Sequence, residues 1–301
     1  MNLHPQGRLQ TRSTLWFLAL ASIVLLGGCS ATDLPIIHPG SAVALSQRNL
    51  VIVVFGLMLI VLIPVWLMAA WFPWKYRAGG NETGYRPDWS QSLLIDAIVW
   101  AVPAILVMVI AAMVWIYTHR LDPYRPATGT GPPLEVQVVA LDWKWLFIYP
   151  DQKVATVNEL VVPAGRPVQL HITADTVMNS LFVPGLTGQI YAMAGMETRL
   201  NFDAEKPRDY RGRNTQYSGG QFPDQHFAVH VETQPQFARW AAAAAKSGSV
   251  LNQSAYDALS SRKSASGVKE FALADDNLFA GIIAKYCSDG GCRQASAASA
   301  R

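Results

Sequence analysis

The side chains with the richest donor chemistry are the cysteines Cys29, Cys287 and Cys292, the histidines His171, His226 and His230, and the methionines Met178, Met193 and Met196. Thiolate, imidazole and thioether together form the soft set that suits copper. Their spacing argues against one shared site. His226 and His230 fall in an apparent strand with Phe227, Val229 and Val231, so they share a face with Ala228 and have no third ligand beside them. Histidines in that arrangement read as surface or core residues. Cys287 and Cys292 flank Ser288-Asp289-Gly290-Gly291 near the end of the chain. In an oxidising compartment that spacing favours a local disulfide, with two free thiols near a frayed end as the alternative. Asp96 is an acid at the edge of a long apolar segment. A carboxyl there can relay protons, or it can be a helix N-terminal acid favoured by the macrodipole and still reached by water; both readings stand.

The elements that position these residues divide the chain in two. Hydrophobic residues make up 51% and charged residues 15%, and the apolar ones concentrate in three runs before residue 120. The first follows Arg8 and Arg12, covers 15–26 and ends at Leu26-Gly27-Gly28-Cys29. It is short for a span and has the layout of a signal peptide, 1–28. Its end resembles the bacterial lipobox, whose cysteine is lipidated and becomes the new N-terminus. Residues 50–71 and 97–118 are uncharged, and at about 1.5 Å per helical residue each crosses a hydrocarbon core of about 30 Å. The expected layout is therefore a lipid anchor and transmembrane hairpin over 29–122, with Pro64 and Pro103 inside the helices and Trp66, Trp71, Trp74, Trp100 and Trp115 mostly toward their ends. Lys75, Arg77 and Arg86 lie in the loop between the spans, against Arg48 before the first. The positive-inside rule then puts that loop in the cytoplasm and the rest of the chain in the periplasm.

After residue 123 the composition is that of a soluble domain. Runs at 134–141, 145–149, 159–162, 168–173, 181–183, 197–202 and 227–232 have strand character, broken by Pro, Gly, Asn and Asp. They predict an all-β sandwich or barrel over 123–233. Helix formers at 237–246, 255–263 and 277–287 predict a helical extension over 234–290, followed by a disordered tail, 291–301. The formal net charge of +3 is dispersed along the chain, which sets nucleic acid aside as a partner.

Three local motifs carry a family resemblance. Asp142-Trp143-Lys144-Trp145-Leu146-Phe147-Ile148-Tyr149-Pro150, Val177-Met178-Asn179-Ser180-Leu181-Phe182-Val183-Pro184 and Gln189-Ile190-Tyr191-Ala192-Met193-Ala194-Gly195-Met196 resemble subunit II of the haem–copper terminal oxidases. The likeness runs from about residue 30 to about residue 290 and is nearest to the ubiquinol-oxidising, cytochrome bo-type branch. It implies a cupredoxin-like β domain. In the cytochrome c-oxidising branch that domain holds two copper ions bridged by two cysteines and flanked by histidines and a methionine. By the resemblance, the first histidine position is Asn179, the two cysteine positions are Tyr217 and Gln221, the second histidine position is Gln225 and the methionine position is Ala228. None is a thiolate or imidazole, so no metal is expected. Trp143 stands where the copper-containing branch receives electrons from cytochrome c, and without copper behind it the residue is expected to pack the domain onto its membrane partner. Asp96 stands where the family usually has a glutamate at the mouth of a proton channel.

The resemblance further implies a complex with oxidase subunit I and smaller membrane subunits III and IV in the bacterial inner membrane. The haems, the copper and the ubiquinol-oxidising site would belong to subunit I, and this chain would bind no cofactor and hold no catalytic residue. Two rivals have different signatures. A cytochrome c oxidase subunit II would need the bridging thiolates, and a free-standing lipoprotein scaffold would need no hairpin beside its lipid.

Overall fold

The computed structural model describes residues 34–77, 92–127, 129–261 and 267–287. The chain divides into two units, Met1–His38 and Pro39–Arg301. The described part of the first, 34–38, is a turn closed by Ile37 N–H on Leu34 C=O at 2.9 Å.

The second unit begins with two long apolar helices, α1 (Ala42–Lys75) and α2 (Leu93–Arg120). Each is long and apolar enough to cross a membrane, and almost none of their side chains is buried. Both run past the uncharged stretches expected from the sequence, 50–71 and 97–118, because the helices continue through flanking polar and charged residues such as Arg48, Lys75, Asp96 and Arg120. The Ser41 side chain caps α1 by accepting from Ala44 N–H at 3.0 Å, and Lys75 closes the helix with its ammonium over the Trp71 ring at 4.3 Å. Asp96 lies in the first turn of α2 and His119 and Arg120 in its last, an order that complements the helix dipole.

Among the described residues, twelve strands form two sheets. They are β1 (Leu134–Leu141), β2 (Lys144–Tyr149), β3 (Val154–Val157), β4 (Glu159–Pro163), β5 (Pro167–Ala174), β6 (Asn179–Phe182), β7 (Ile190–Ala192), β8 (Thr198–Asp203), β9 (Arg208–Asn214), β10 (His226–Glu232), β11 (Val250–Leu251) and β12 (Lys269–Leu273). One sheet runs β11-β12-β3-β2-β1-β5-β8 and the other β4-β10-β9-β6-β7. Between them lie Trp145, Phe147, Tyr149 and Phe227, with the Phe227 ring 5.7 Å from Trp145 and 5.0 Å from Phe147. Gly212 sits directly under Phe227: a Cβ there would come within 2.0 Å of the ring.

From β3 to β4 the chain crosses between the sheets through a single residue. Val157 ends β3 in the first sheet, Glu159 begins β4 in the second, and Asn158 between them has φ 57°. Its N–H donates to Trp145 C=O at 2.8 Å, its Oδ1 accepts from Trp145 N–H at 2.8 Å, and its C=O accepts from Ala228 N–H at 3.0 Å. Asparagine is among the few residues that tolerate this left-handed conformation.

The sequence reading misses β3, β7, β9, β11 and β12. Strand β9, Arg-Asp-Tyr-Arg-Gly-Arg-Asn, has no apolar alternation, and its place between β10 and β6 comes from backbone pairing. The three expected C-terminal helices are present, with two strands added between them. These helices, α3 (Gln234–Ala244), α4 (Gln253–Ser260) and α5 (Leu278–Ala284), alternate with β11 and β12, and β12 pairs antiparallel with β3. The extension therefore belongs to the sandwich. Leu251, Tyr256, Leu259, Leu278, Phe279 and Ile282 cover the outer face of the first sheet at Val139, Leu141, Leu146 and Ile148. That second cover is why every residue of β2 is buried.

Asp175, just after β5, ties this extension down. It accepts from Tyr256 Oη at 2.6 Å, Tyr286 Oη at 2.7 Å and Lys285 Nζ at 2.8 Å. Burial pushes its pKa up, but the bonds from Lys285, Tyr256 and Tyr286 and the Lys285 charge outweigh it and hold the carboxyl below its ordinary value. A lowered folded pKa contributes stability above the unfolded value, about 3.9, which is lost as pH falls through the folded one. Hydrogen-exchange protection of Gln253–Ser260 and Leu278–Ala284 should therefore fall as the solution is acidified below about pH 4, and Asp175→Asn should lower it already at neutral pH. Asn158→Ala should cost about 2–4 kcal/mol, from a strained φ plus an unsatisfied Trp145 N–H, read as a lower Tm in detergent. Asn158→Gly, which relieves only the backbone term, should lie between the two.

Candidate functional site

The β6 strand, the end of β9 and the loop 215–225 meet at one buried amide, Asn214. Its Nδ2 lies 2.7 Å from Asn179 Oδ1, 2.8 Å from Gln225 Oε1 and 3.1 Å from Ser218 Oγ. Its Oδ1 accepts from Ser180 N–H at 2.9 Å and Gln216 N–H at 3.0 Å. Around this hub, Ser218 Oγ donates to Gln225 Oε1 at 2.9 Å and Asn179 Nδ2 to Val177 C=O at 2.7 Å. The longer contact from Gln225 Nε2 to Leu141 C=O, 3.4 Å, reaches the end of β1. Asn179, Asn214 and Gln225 are all buried. A buried amide is costly unless its donors and acceptors are used, and here the three amides use one another.

The structure thus brings together two of the five positions singled out by resemblance, Asn179 and Gln225. Tyr217 and Gln221 stand exposed on the loop, the Tyr217 ring 5.8 Å from Phe222. Ala228 lies along β10, opposite Glu159 and Arg211 and outside the network. Asn214, the hub, was missed: a lone asparagine at the end of a charged segment carries no signal until the fold sets Asn179 and Gln225 against it.

These residues do not fit a dinuclear copper centre. Such a centre needs bridging thiolates and imidazoles, whereas this set offers amides, a phenol and a methyl group, and the buried amides already saturate each other. The other soft donors do not converge. His171 Nδ1 sits 2.8 Å from Glu197 Oε1 on the first sheet, and the His171 bond holds Glu197 below its ordinary pKa against the opposing effect of burial. His230, on the second sheet, meets Asp209 at 2.7 Å and Glu159 at 3.4 Å; burial pushes Glu159 up, partly opposed by the His230 charge. His226 pairs across from Arg213, while Met178 and Met196 are exposed and Met193 accepts from Thr173 through its backbone at 3.2 Å. Among the described residues, no three His, Cys, Asp or Glu side chains gather as a metal-binding group.

Trp143 has φ 59° in the two-residue turn, Asp142-Trp143, that joins β1 to β2. Its indole is half-buried against Gly219, where an added Cβ would meet the ring at 3.4 Å. The ring therefore packs on its own domain's loop. Asp96 is exposed, and its N–H donates to Ser92 C=O at 2.9 Å. Cys287 follows α5 and is disulfide-bonded. Cys29 and Cys292, with the expected signal segment and tail, lie outside the described residues.

Two long apolar helices, a two-sheet sandwich and a buried amide hub at Asn179, Asn214 and Gln225, with no thiolate or imidazole in it, define a membrane protein with a cupredoxin-like domain. No family model matches the chain. Curated relatives do. Cytochrome bo(3) ubiquinol oxidase subunit 2 of Pseudomonas putida is 42% identical over 89% of this chain and 85% of its own length. That of Pseudomonas aeruginosa is 40% identical over 94% and 85%, and ubiquinol oxidase subunit 2 of Acetobacter aceti 39% over 89% and 86%. Among solved structures, the periplasmic domain of subunit II of the Bradyrhizobium japonicum cytochrome oxidase aligns at 20% identity and TM-score 0.37, over 38% of this chain and 96% of that one. The chain belongs to the ubiquinol oxidase subunit 2 family.

Replacing Asn214 with leucine removes the partner of Asn179 Oδ1 and of the Ser180 and Gln216 N–H groups, while Gln225 Oε1 keeps its bond from Ser218. At about 1–3 kcal/mol for each group left unsatisfied, Asn214→Leu should lower stability by at least about 3 kcal/mol. Thermal unfolding of the detergent-solubilised protein would read this, and an unchanged Tm would mean that water replaces the network.

Proposed function

We propose that the chain is the non-redox second subunit of a proton-pumping ubiquinol oxidase, holding and capping the subunit that oxidises quinol and reduces oxygen to water. The observation that carries this reading is the commitment of Asn179 and Gln225 to Asn214, which fills two of the five positions of the electron-entry site with hydrogen-bonded amides. With no electron acceptor in this domain, electrons would enter the complex as quinol at subunit I, where the haems and copper belong. Subunits III and IV complete the assembly.

In this reading α1 and α2 span the inner membrane, the sandwich is periplasmic, and Cys29 carries a lipid. Cys287 pairs with Cys292, closing the end of α5 in an oxidising compartment. Asp96, exposed at the start of α2, would then stand at the cytoplasmic surface and serve as a proton-entry carboxylate for the neighbouring subunit.

The complex, purified through a tag on this chain, should consume oxygen with ubiquinol and not with reduced cytochrome c. Turnover with cytochrome c would overturn the non-redox assignment, and purification without haem would overturn membership in an oxidase complex. Asp96→Ala should slow quinol-driven turnover and proton uptake several-fold while assembly is normal, and Asp96→Glu should restore both. Full turnover in the alanine variant would remove Asp96 from the proton path.

A further inference from the structure

The two apolar helices are joined to the sandwich at neighbouring points. At the start of α1, Gly40 N–H donates to Gly185 C=O at 2.8 Å, Gly40 C=O accepts from Glu205 N–H at 2.9 Å, and Ser41 Oγ donates to Leu186 C=O. Beyond the end of α2, Pro123 C=O accepts from Asn201 N–H at 3.0 Å and from Asn201 Nδ2 at 3.2 Å. Between these two joints is a cavity of about 340 Å³ lined by the first turns of α1, the segment 120–127 and β8.

The cavity wall carries both signs of charge. Arg120 and Arg125 are exposed at its rim, and neither guanidinium has an ion-pair or hydrogen-bond partner among the described residues. Asp203, also in the wall, is only 9% exposed. Burial pushes its pKa up; backbone N–H groups, including that of Ala42, oppose this, and the nearby Glu205 reinforces it. No described cation neutralises it. Thr187, 1% exposed, lines the same cavity with its hydroxyl buried and unpartnered. Buried polar groups in native proteins are normally paired, so an orphaned hydroxyl beside an uncompensated buried carboxyl calls for an external donor.

The height of the cavity indicates where that donor comes from. Its α1 residues, 42–47, stand three to eight residues before the apolar stretch at 50, roughly 5–12 Å by helical rise. The polar zone on each side of the hydrocarbon core is about 5–7 Å deep. The cavity thus opens where phospholipid headgroups sit.

We propose that this cavity binds the headgroup of an ammonium-bearing zwitterionic phospholipid, with the phosphate at Arg120 and Arg125 and the ammonium at Asp203 and Thr187. The inference rests on the reading of α1 and α2 as membrane spans. Guanidinium groups suit a phosphate diester, and a primary ammonium can hydrogen-bond to both the carboxylate and the hydroxyl. A choline headgroup has no N–H to give, and a glycerol headgroup has no cation. Phosphatidylethanolamine should therefore be selected over phosphatidylcholine and phosphatidylglycerol.

The test is native mass spectrometry of the detergent-purified complex after exchange with each of the three lipids. The wild type should retain phosphatidylethanolamine preferentially. Arg120→Gln/Arg125→Gln, both on exposed positions, should weaken its retention about tenfold, the loss of a charge-assisted contact. Asp203→Asn should abolish the preference over phosphatidylcholine. Equal retention of all three lipids, unchanged retention in the arginine double variant, or displacement of the lipid by free phosphoethanolamine at equal concentration would overturn the proposal. If the asparagine variant does not fold, Thr187→Val supplies the same comparison. Carbonate extraction separates the two readings. A chain released from membranes refutes the spans, whereas an integral chain without lipid preference refutes the headgroup site alone.

Discussion

The two sheets are joined covalently and by hydrogen bonds at Asn158, and the geometry of the domain follows from that residue. Its left-handed backbone turns the chain from β3 into β4, its main chain and side chain both hold Trp145 on the first sheet, and its carbonyl holds Ala228 on the second. With Trp145 and β10 placed, Phe227 is set over Gly212 and the core closes around the aromatic rings. A residue with a branched Cβ could not take this conformation without strain, and an alanine could take it only with a cost and without the bond to Trp145.

The same strand, β2, is covered on its other face by the C-terminal extension. Burial on both faces removes the period-two alternation that a half-exposed strand shows, and it makes the extension part of the domain's stability. Asp175 adds a polar lock to that apolar cover. Its three bonds come from α4 and from the residues after α5, so Tyr256, Lys285 and Tyr286 are held to one carboxylate while Leu278, Phe279 and Ile282 pack on the sheet.

At the second sheet, Asn179 and Gln225 are committed to a buried amide hub. Asn214 gathers Asn179, Ser218 and Gln225, and through them joins β6, β9 and the loop 215–225. An amide hub holds a loop together as a metal would, by several short bonds to one centre, but it offers no change of oxidation state.

The sequence by itself determined the division into apolar helices and a β domain, because long uncharged runs and short punctuated ones report on the solvent each must face. It also determined that the loop lacks thiolates, since ligand chemistry is a property of residue type: Tyr217, Gln221 and Ala228 state it without any fold. The tertiary structure alone decided that Asn214 lies between Asn179 and Gln225, that the arginine-rich β9 is an interior strand, and that β12 completes the first sheet. It also decided that Arg120, Asp203 and Thr187 line one cavity. These outcomes depend on which distant segments meet, and a polar residue carries no periodic mark of the partner that will satisfy it.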